Sequence, residues 1–422
     1  MFGQFFYRRK RKDRWWRYLV LRDAFVAASE AGRPDAVHNR LGWAARRTGI
    51  PLSGPVCDFW GELVAVSAAR SPVLDDRAVE ALQANGAGLS PDLLPASAWL
   101  DLFRLAMGIG LFSVASSLRE KALDRMIADG ETPGADLAIL TLACYADLER
   151  GQVNRAVHWL DQMSEAGCDQ SRLLQAGWFL ALMSGDREPV DGCPLRKASP
   201  EDMAFGKLVE SRRVALVGPV ASEVEQGAEI DGHDLVVKLG YRGGSHGCEP
   251  AMQGRRVDIS YYNNTQARSL SQTEFGDVFA VLRWGVCHNR KGSSCFKPAP
   301  ANLRQLRSLQ WLLPDTHFNA GPNAIIDLLR FSPAGIRVFN TDLMLSSGRF
   351  AGYREAGDEE TDYTRSFIKT HDPILQYRVM HRLWSLGRID GDNRFEEVMA
   401  MGLEGYLSEL QKAYGATERA LL

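Results

Sequence analysis

Several features are scarce or missing in this sequence. No apolar run approaches the ~20 residues needed to cross a bilayer. The N-terminus has no uninterrupted apolar stretch of the secretory kind. Cysteine is scarce, with seven in 422 residues, an odd number without framework spacing. That excludes a disulfide scaffold and fits reduced thiols in a cytoplasmic protein. Net charge is only −2 at pH 7, so a nucleic-acid-coating chain is not expected. There is no Walker A loop, no His-Glu-x-x-His and no paired Cys-x-x-Cys, which removes the main signatures of P-loop, zincin and zinc-ribbon chemistry. Gly-x-Gly-x-x-Gly is also absent, and with it the main support for a dinucleotide site. Cys287, His288 and Cys295 fit no common zinc spacing and read as ordinary residues.

What is present begins with an unusual N-terminus. Residues Met1–Arg22 read MFGQFFYRRKRKDRWWRYLVLR, a basic cluster flanked by aromatics such as Phe5, Phe6, Trp15, Trp16 and Tyr18. Cations beside interfacial aromatics suit an anionic membrane surface; the same residues also suit a packing patch against the next domain. Residues 23–195 are expected to form an all-α domain. Apolar residues recur at helical spacing in Ser97–Arg125, Ala135–Ala166 and Ser171–Met183, and Ala24–Thr48 predicts a further helical pair. Leu137–Met163 reads as helix, Arg-Gly-Gln turn, helix, similar to a tetratricopeptide-type hairpin, with Ala143 and Ala156 small enough for close packing. This domain reads as a supporting bundle or repeat, or as a concave surface for a partner or a glycan acceptor.

Gly185–Pro200, rich in Pro, Gly and charge, marks a boundary. Over 205–415 strand and helix patterns alternate, which predicts an α/β fold with a Rossmann-like, mostly parallel sheet covered by helices. The predicted strands are Val214–Val217, Leu235–Leu239, Val257–Tyr262, Val278–Trp284, Trp311–Leu313 and Ile336–Phe339. Helices are predicted at Pro300–Leu309, Pro322–Phe331, Ile374–Leu386 and Phe395–Ala413. No Asp-x-Asp is expected at the end of a strand in this part, which points away from a metal-dependent sugar-nucleotide mechanism.

Candidate site residues fall at strand and helix ends. Gly218-Pro219 forms the turn after the first strand, where glycine lets the backbone approach a ligand closely. Asp231 and His233 are placed to pin the turn before the second strand. Asn263 and Asn264 end the third strand, at the sheet edge where a ligand lies in such folds. Asn319-Ala320-Gly321-Pro322 marks a helix N-terminus, whose amides favour an anion. Lys369-Thr370-His371-Asp372-Pro373 carries a histidine suited to general-base work. His381, inside a helical pattern, reads as structural.

In their order these segments resemble the motifs of glycosyltransferase family 29. VALVGPVASEVEQGAEIDGHDLVVKLG, with its Glu229-Ile230-Asp231 and His233-Asp234, resembles the long sialyl motif. HFNAGPNAIIDLLRF with the strand Gly335–Phe339 resembles the short one. His371 stands where the family has its last histidine, and Gln376 replaces the glutamate that follows it. The resemblance covers about residues 210–400. It implies a sialyltransferase-like GT-A variant, a CMP-sugar donor, no metal or other cofactor, and His371 as the base. It also implies donor contacts at Gly218 and Pro219 (Gly-Asn in the family), Lys238 (Arg in the family), Asn263, Asn264, and Asn319-Ala320-Gly321 (Ser-Thr-Gly in the family). Tyr353 stands near the place of a further family histidine. The cysteines that join the two motifs in animal members are absent; Arg213 and Ala334 lie near those places.

The function so implied is inverting transfer of a sugar acid, sialic acid or Kdo, from CMP to a glycan of a surface polysaccharide or glycolipid, with the basic N-terminus holding the enzyme at the inner membrane face. A second expectation is a non-catalytic helical-repeat scaffold with a degenerate nucleotide-binding domain, since several motif residues are replaced.

Overall fold

The computed structural model describes residues 2–31, 50, 53–68, 75–185, 193–244, 249–314, 316–350, 353 and 363–415, with side chains from Trp15 onward, Thr364 and Arg365 excepted. Much of the predicted helical pair over Ala24–Thr48 lies outside these residues, as does part of the boundary near Gly185–Pro200.

The protein is α/β. Seven parallel strands form one sheet, and nineteen α-helices lie among the described residues. The strands are β1 (Arg213–Val217), β2 (Leu235–Leu239), β3 (Ile259–Tyr262), β4 (Trp284–Cys287), β5 (Leu303–Gln305), β6 (Gly335–Phe339) and β7 (Ile389–Gly391), in the spatial order β5-β4-β3-β2-β1-β6-β7. β1 and β2 are near-continuous apolar runs because both faces of a parallel sheet are covered. The chain winds outward from β1 to β5, then returns to the other side of β1 for β6. That reversal sets a switch point beside the carboxyl ends of β1 and β6, where open α/β sheets form their ligand crevice.

Among the described residues no strand precedes Arg213. The first helices are α1 (Phe2–Ala31), α2 (Pro55–Ala68) and α3 (Asp76–Gly88). A consecutive stack follows: α4 (Ala96–Gly108), α5 (Phe112–Gly130), α6 (Leu137–Glu149), α7 (Val153–Glu165) and α8 (Gln170–Ser184), each packed on its chain neighbour. Ala143 and Ala156 are fully buried. A Cβ on Gly130 would lie 2.6 Å from the Cβ of Ala143, so α5 and α6 approach as closely as side chains allow. One continuous hydrophobic core joins this stack to one face of the sheet, from Leu21 through Trp99 and Ile336 to Tyr414. In the N-terminal helix Tyr18 is buried, Arg17 bonds Asp101, and Lys369 stands over the Trp15 ring at 5.0 Å. These residues form a packing patch, while Trp16 stays exposed. Of the basic side chains expected at a membrane, those of Arg8 to Arg14 lie outside the described ones, while Arg17 and Arg22 pair with Asp101 and Asp23. No helix among the described residues is long and apolar enough to cross a membrane.

The sheet region continues with α9 (Pro200–Val209), α10 (Gly227–Asp231), α11 (Pro250–Gln253), α12 (Asn264–Leu270), α13 (Phe275–Val281), α14 (Arg290–Ser293), α15 (Ala320–Leu329), α16 (Tyr363–Lys369), α17 (Pro373–Ser385), α18 (Asn393–Ala400) and α19 (Gly402–Tyr414). Several predictions of element type are corrected. The strand expected over Val278–Trp284 begins only at Trp284; the run before it is α13, whose buried Val278, Phe279 and Leu282 follow helical spacing while Val281 is exposed. The helix expected over Pro300–Leu309 contains β5, which adds to β4 and carries the buried Arg304. Trp311–Leu313 is a turn rather than a strand. The helix expected over Phe395–Ala413 breaks at Gly402, at φ +67°. The short β7 was not expected.

A buried charge network joins the helical stack to the sheet region. Arg119 of α5 bonds Asp372 at 2.7 Å and Tyr145 at 2.7 Å, and also pairs with Glu149. Burial alone would raise the Glu149 carboxyl, but Arg119 and Arg378 outweigh it and hold it at about 2. Breaking such a buried network strands an uncompensated charge. Arg119→Ala is therefore expected to lower the unfolding free energy by about 3–5 kcal/mol in urea titration; a loss below about 1 kcal/mol would show that water or a neighbour replaces the guanidinium.

Candidate functional site

The site grows from the way α15 is held. This helix crosses from the carboxyl edge of the sheet, so its N-terminus faces the ligand side. A second buried network fixes its far end: Asp327 accepts from Tyr261 at 2.8 Å and from Arg304 at 2.6 and 2.9 Å, while Arg304 and Arg330 both reach Asp202 at 2.9 Å. Burial would raise Asp327, but Arg304 and Arg330 hold it at about 2.

The near end is left open. Asn319 has extended N-cap geometry, but its side chain makes no capping bond and turns to Met344 Sδ. Pro322 has no N–H, and the Asn323 amide bonds the Asn319 carbonyl. The amides of Ala320 and Gly321 are thus the helix's first unsatisfied donors, carrying the positive end of its dipole. The Asn319 amide is held by Gln376 of α17 at 2.9 Å. Gln376 therefore uses its amide group for a bond that a glutamate could also make, since the contact is through the oxygen.

His371 sits two residues ahead of α17, beside this helix end. Thr316 and His317 clamp its loop: His317 N–H donates to the Thr370 carbonyl at 3.0 Å and Asp372 N–H to Thr316 Oγ1 at 3.1 Å. The His317 and His371 rings meet edge to face at 4.5 Å. His371 Nδ1 lies 3.1 Å from the His317 carbonyl oxygen. A carbonyl only accepts, so Nδ1 carries the proton and the lone pair is on Nε2. Burial pushes the ring down to about 4, against the opposing pull of that bond. At neutral pH it is an uncharged imidazole with one defined tautomer.

His288, read from the sequence as ordinary, directly follows β4. Burial, and next the nearby His371, lower it to about 4. Its Nε2 is closed off from solvent and unpartnered. The buried Asn264 Oδ1, at the carboxyl end of neighbouring β3, is likewise unpartnered. Only its place as a polar residue after a strand could have marked His288; its spacing from Cys287 and Cys295 fits no common zinc site, so it read as ordinary. Among the described residues no group of three or more His, Cys, Asp or Glu is arranged to hold a metal ion. One Asp-x-Asp does end a strand, the unexpected β7: Asp390-Gly391-Asp392. Asp392 is occupied by the amides of Asn340 and Phe395 and by Gln226, and Asp390 by Arg337.

The other expected contacts divide. Tyr353 joins the sheet edge through Gln266, whose Nε2 lies 3.3 Å from the Tyr353 hydroxyl. Gln266 also forms a capping box with Asn263, so both Asn263 and Gln266 are engaged in starting α12. Gly218 is needed for close approach, but the approaching group is the chain itself: a Cβ there would lie 2.3 Å from the Asn340 carbonyl oxygen. Its amide donates to the Phe339 carbonyl at 2.8 Å, and Pro219 has none to offer. The Lys238 ammonium is buried on the Gly254 carbonyl at 2.8 Å. Asp231 pins its turn as expected, accepting from the amides of Arg255 and Arg256, each at 2.9 Å. His381 packs between Tyr377 and Trp384.

Compared with family models, curated proteins and solved structures, the chain finds no match.

His288 and His371 are depressed on folding, so the unfolded chain binds their protons first. Their contribution is whole above the ordinary histidine value of 6.5 and is lost as pH falls from there through about 4. Urea titrations from pH 7 to 4.5 are expected to show falling stability, with His288→Phe removing a share of about 2–3 kcal/mol. An unchanged pH slope in that variant would contradict the buried neutral state of His288.

Proposed function

We propose that the protein is an inverting, metal-independent glycosyltransferase that moves a sugar acid, sialic acid or Kdo, from a CMP donor to a glycan acceptor. The observation that carries this reading is the pairing of a tautomer-fixed, neutral His371 with the uncapped helix end at Asn319–Gly321. A second observation supports the resemblance to family 29 and its GT-A variant fold. Arg213 and Ala334 lie near the places of the cysteines that join the two motifs in animal members. Here the β1–β6 register puts Arg213 opposite Gly335, and the Ala334 amide bonds the Arg212 carbonyl at 2.9 Å. The two places are neighbours in space.

In this reading the donor phosphate lies at the Ala320 and Gly321 amides, with the Tyr353 hydroxyl and Asn264 on the sheet side. The acceptor hydroxyl attacks the anomeric carbon opposite the phosphate. A carbon–oxygen bond forms to the acceptor as the bond to the phosphate oxygen breaks, and CMP leaves with that electron pair. His371 Nε2 takes the acceptor's proton. A pKa near 4 is low for a base, but an anion bound close by favours the imidazolium and raises it. The helix end stabilises charge that grows on the departing phosphate, where preorganised donors act most strongly.

A second reading, a degenerate nucleotide-binding scaffold, is favoured by the internal engagement of Lys238, Asn263 and the Gly218 amide. One experiment separates the two. Protein incubated with CMP-sialic acid or CMP-Kdo is expected to release CMP from one of them, equally with and without EDTA. His371→Ala is expected to slow release or transfer by about 10²–10⁴-fold. Binding of CMP without turnover of either donor would favour the scaffold, and full transfer by His371→Ala would remove the base assignment.

A further inference from the structure

A cleft of about 990 Å³ opens between the start of α8, the start of α9 and the two segments that follow β4 and β5. Its wall is built from both halves of the chain. Five cationic side chains line it against three acidic ones. The acids are largely committed: Asp202 is bound by Arg304, Arg307 and Arg330, and Asp169 caps α8 through the Arg172 amide. The cations differ. Arg172, Arg290 and Lys297 are exposed and make no ion pair with any described residue. Exposed cations held around one concavity raise the local concentration of anions.

The floor is suited to a sugar ring. Trp311 is fixed by a bond from its indole N–H to Gln175 at 3.3 Å and lies under the Arg172 guanidinium at 5.5 Å. A fixed aromatic ring capped by a guanidinium offers an apolar edge and a charge together. The inner wall includes His288, whose buried Nε2 has no partner. His288 follows β4, and its amide donates to the Tyr262 carbonyl of β3 at 3.1 Å, so the cleft reaches the sheet edge that carries Asn264.

We infer that this cleft is the acceptor site, and that the acceptor is an anionic oligosaccharide bearing carboxylates or phosphates. It would lie across Trp311 with its anionic groups toward Arg172, Arg290 and Lys297. The inference rests on the glycosyltransferase reading for the word acceptor; binding itself does not require turnover. The helical stack then contributes directly to substrate recognition, through Arg172 and Gln175 at the start of α8.

The test is calorimetric titration of the full chain, without donor, using three probes of equal length: a hexuronate oligosaccharide, a phosphorylated oligosaccharide and neutral maltohexaose. At least one anionic probe is expected to bind tenfold or more tightly than maltohexaose, and to weaken as salt rises. Arg290→Glu with Lys297→Glu is expected to reduce that binding tenfold or more, and Trp311→Ala to reduce it on its own. Circular dichroism and CMP release by the double variant report whether fold and donor site persist. Carboxylate and phosphate arms identify which anion is read. Equal binding of neutral and anionic probes, no binding of any, or anionic binding unchanged in the cleft variants would each overturn the inference. Loss of donor turnover in the parent chain with cleft-dependent binding intact would instead count against the glycosyltransferase reading alone.

Discussion

The arrangement of the candidate site depends on one buried guanidinium. Arg119 lies in the helical stack, yet its Nε holds Asp372, the residue next to His371. Asp372 in turn caps α17 through the amides of Ile374 and Leu375 and ties its own amide to Thr316. The loop that carries the histidine is thus fixed from the helical side and the sheet side at once. Glu149, Tyr145 and Arg378 complete the network, so no charge in it is left alone. A buried ion network is a poor source of net stability but a strict geometrical constraint. Here it makes the two halves of the chain one body around a shared core, and the helical stack becomes part of the site's framework.

The second constraint is the supply of positive potential by a helix end beside the histidine. The start of α15 is uncapped, and burial keeps His371 and His288 neutral. Such a place favours an anion through its backbone amides. An arriving phosphate changes the histidines too, since it offsets the cost of charging a buried ring. Anion binding and proton affinity are therefore coupled at this edge of the sheet.

Sequence reasoning found what rests on local pattern. β1, β2 and β6 were legible because apolar runs bounded by turn residues are the mark of buried parallel strands. α15 was legible from Gly321-Pro322; His371 was singled out only through the family resemblance, by its place beyond the short motif. What failed was set by tertiary context. Val278–Val281 is β-prone in composition, but burial of every third or fourth residue made it helical. Arg304 interrupts an apparent helix because its charge is answered only by Asp202 and Asp327, distant in sequence. β7 is three residues long and exists only as an addition to β6. At the site, the sequence could not say that Lys238, Asn263 and the Gly218 amide would be used internally. Nor could it single out His288, whose meaning comes from an absent partner, or Gln266, whose side chain links Asn263 to Tyr353.

The most direct test of the central claim is the proton count of CMP binding. Calorimetry at pH 5 in buffers of different ionisation heats measures protons taken up on binding, beyond those of the nucleotide itself. The wild-type chain is predicted to bind CMP with proton uptake as His371 rises from about 4, and His371→Asn to bind with less uptake. Equal proton counts in the two proteins, or no CMP binding at all, would contradict a phosphate site beside a neutral His371.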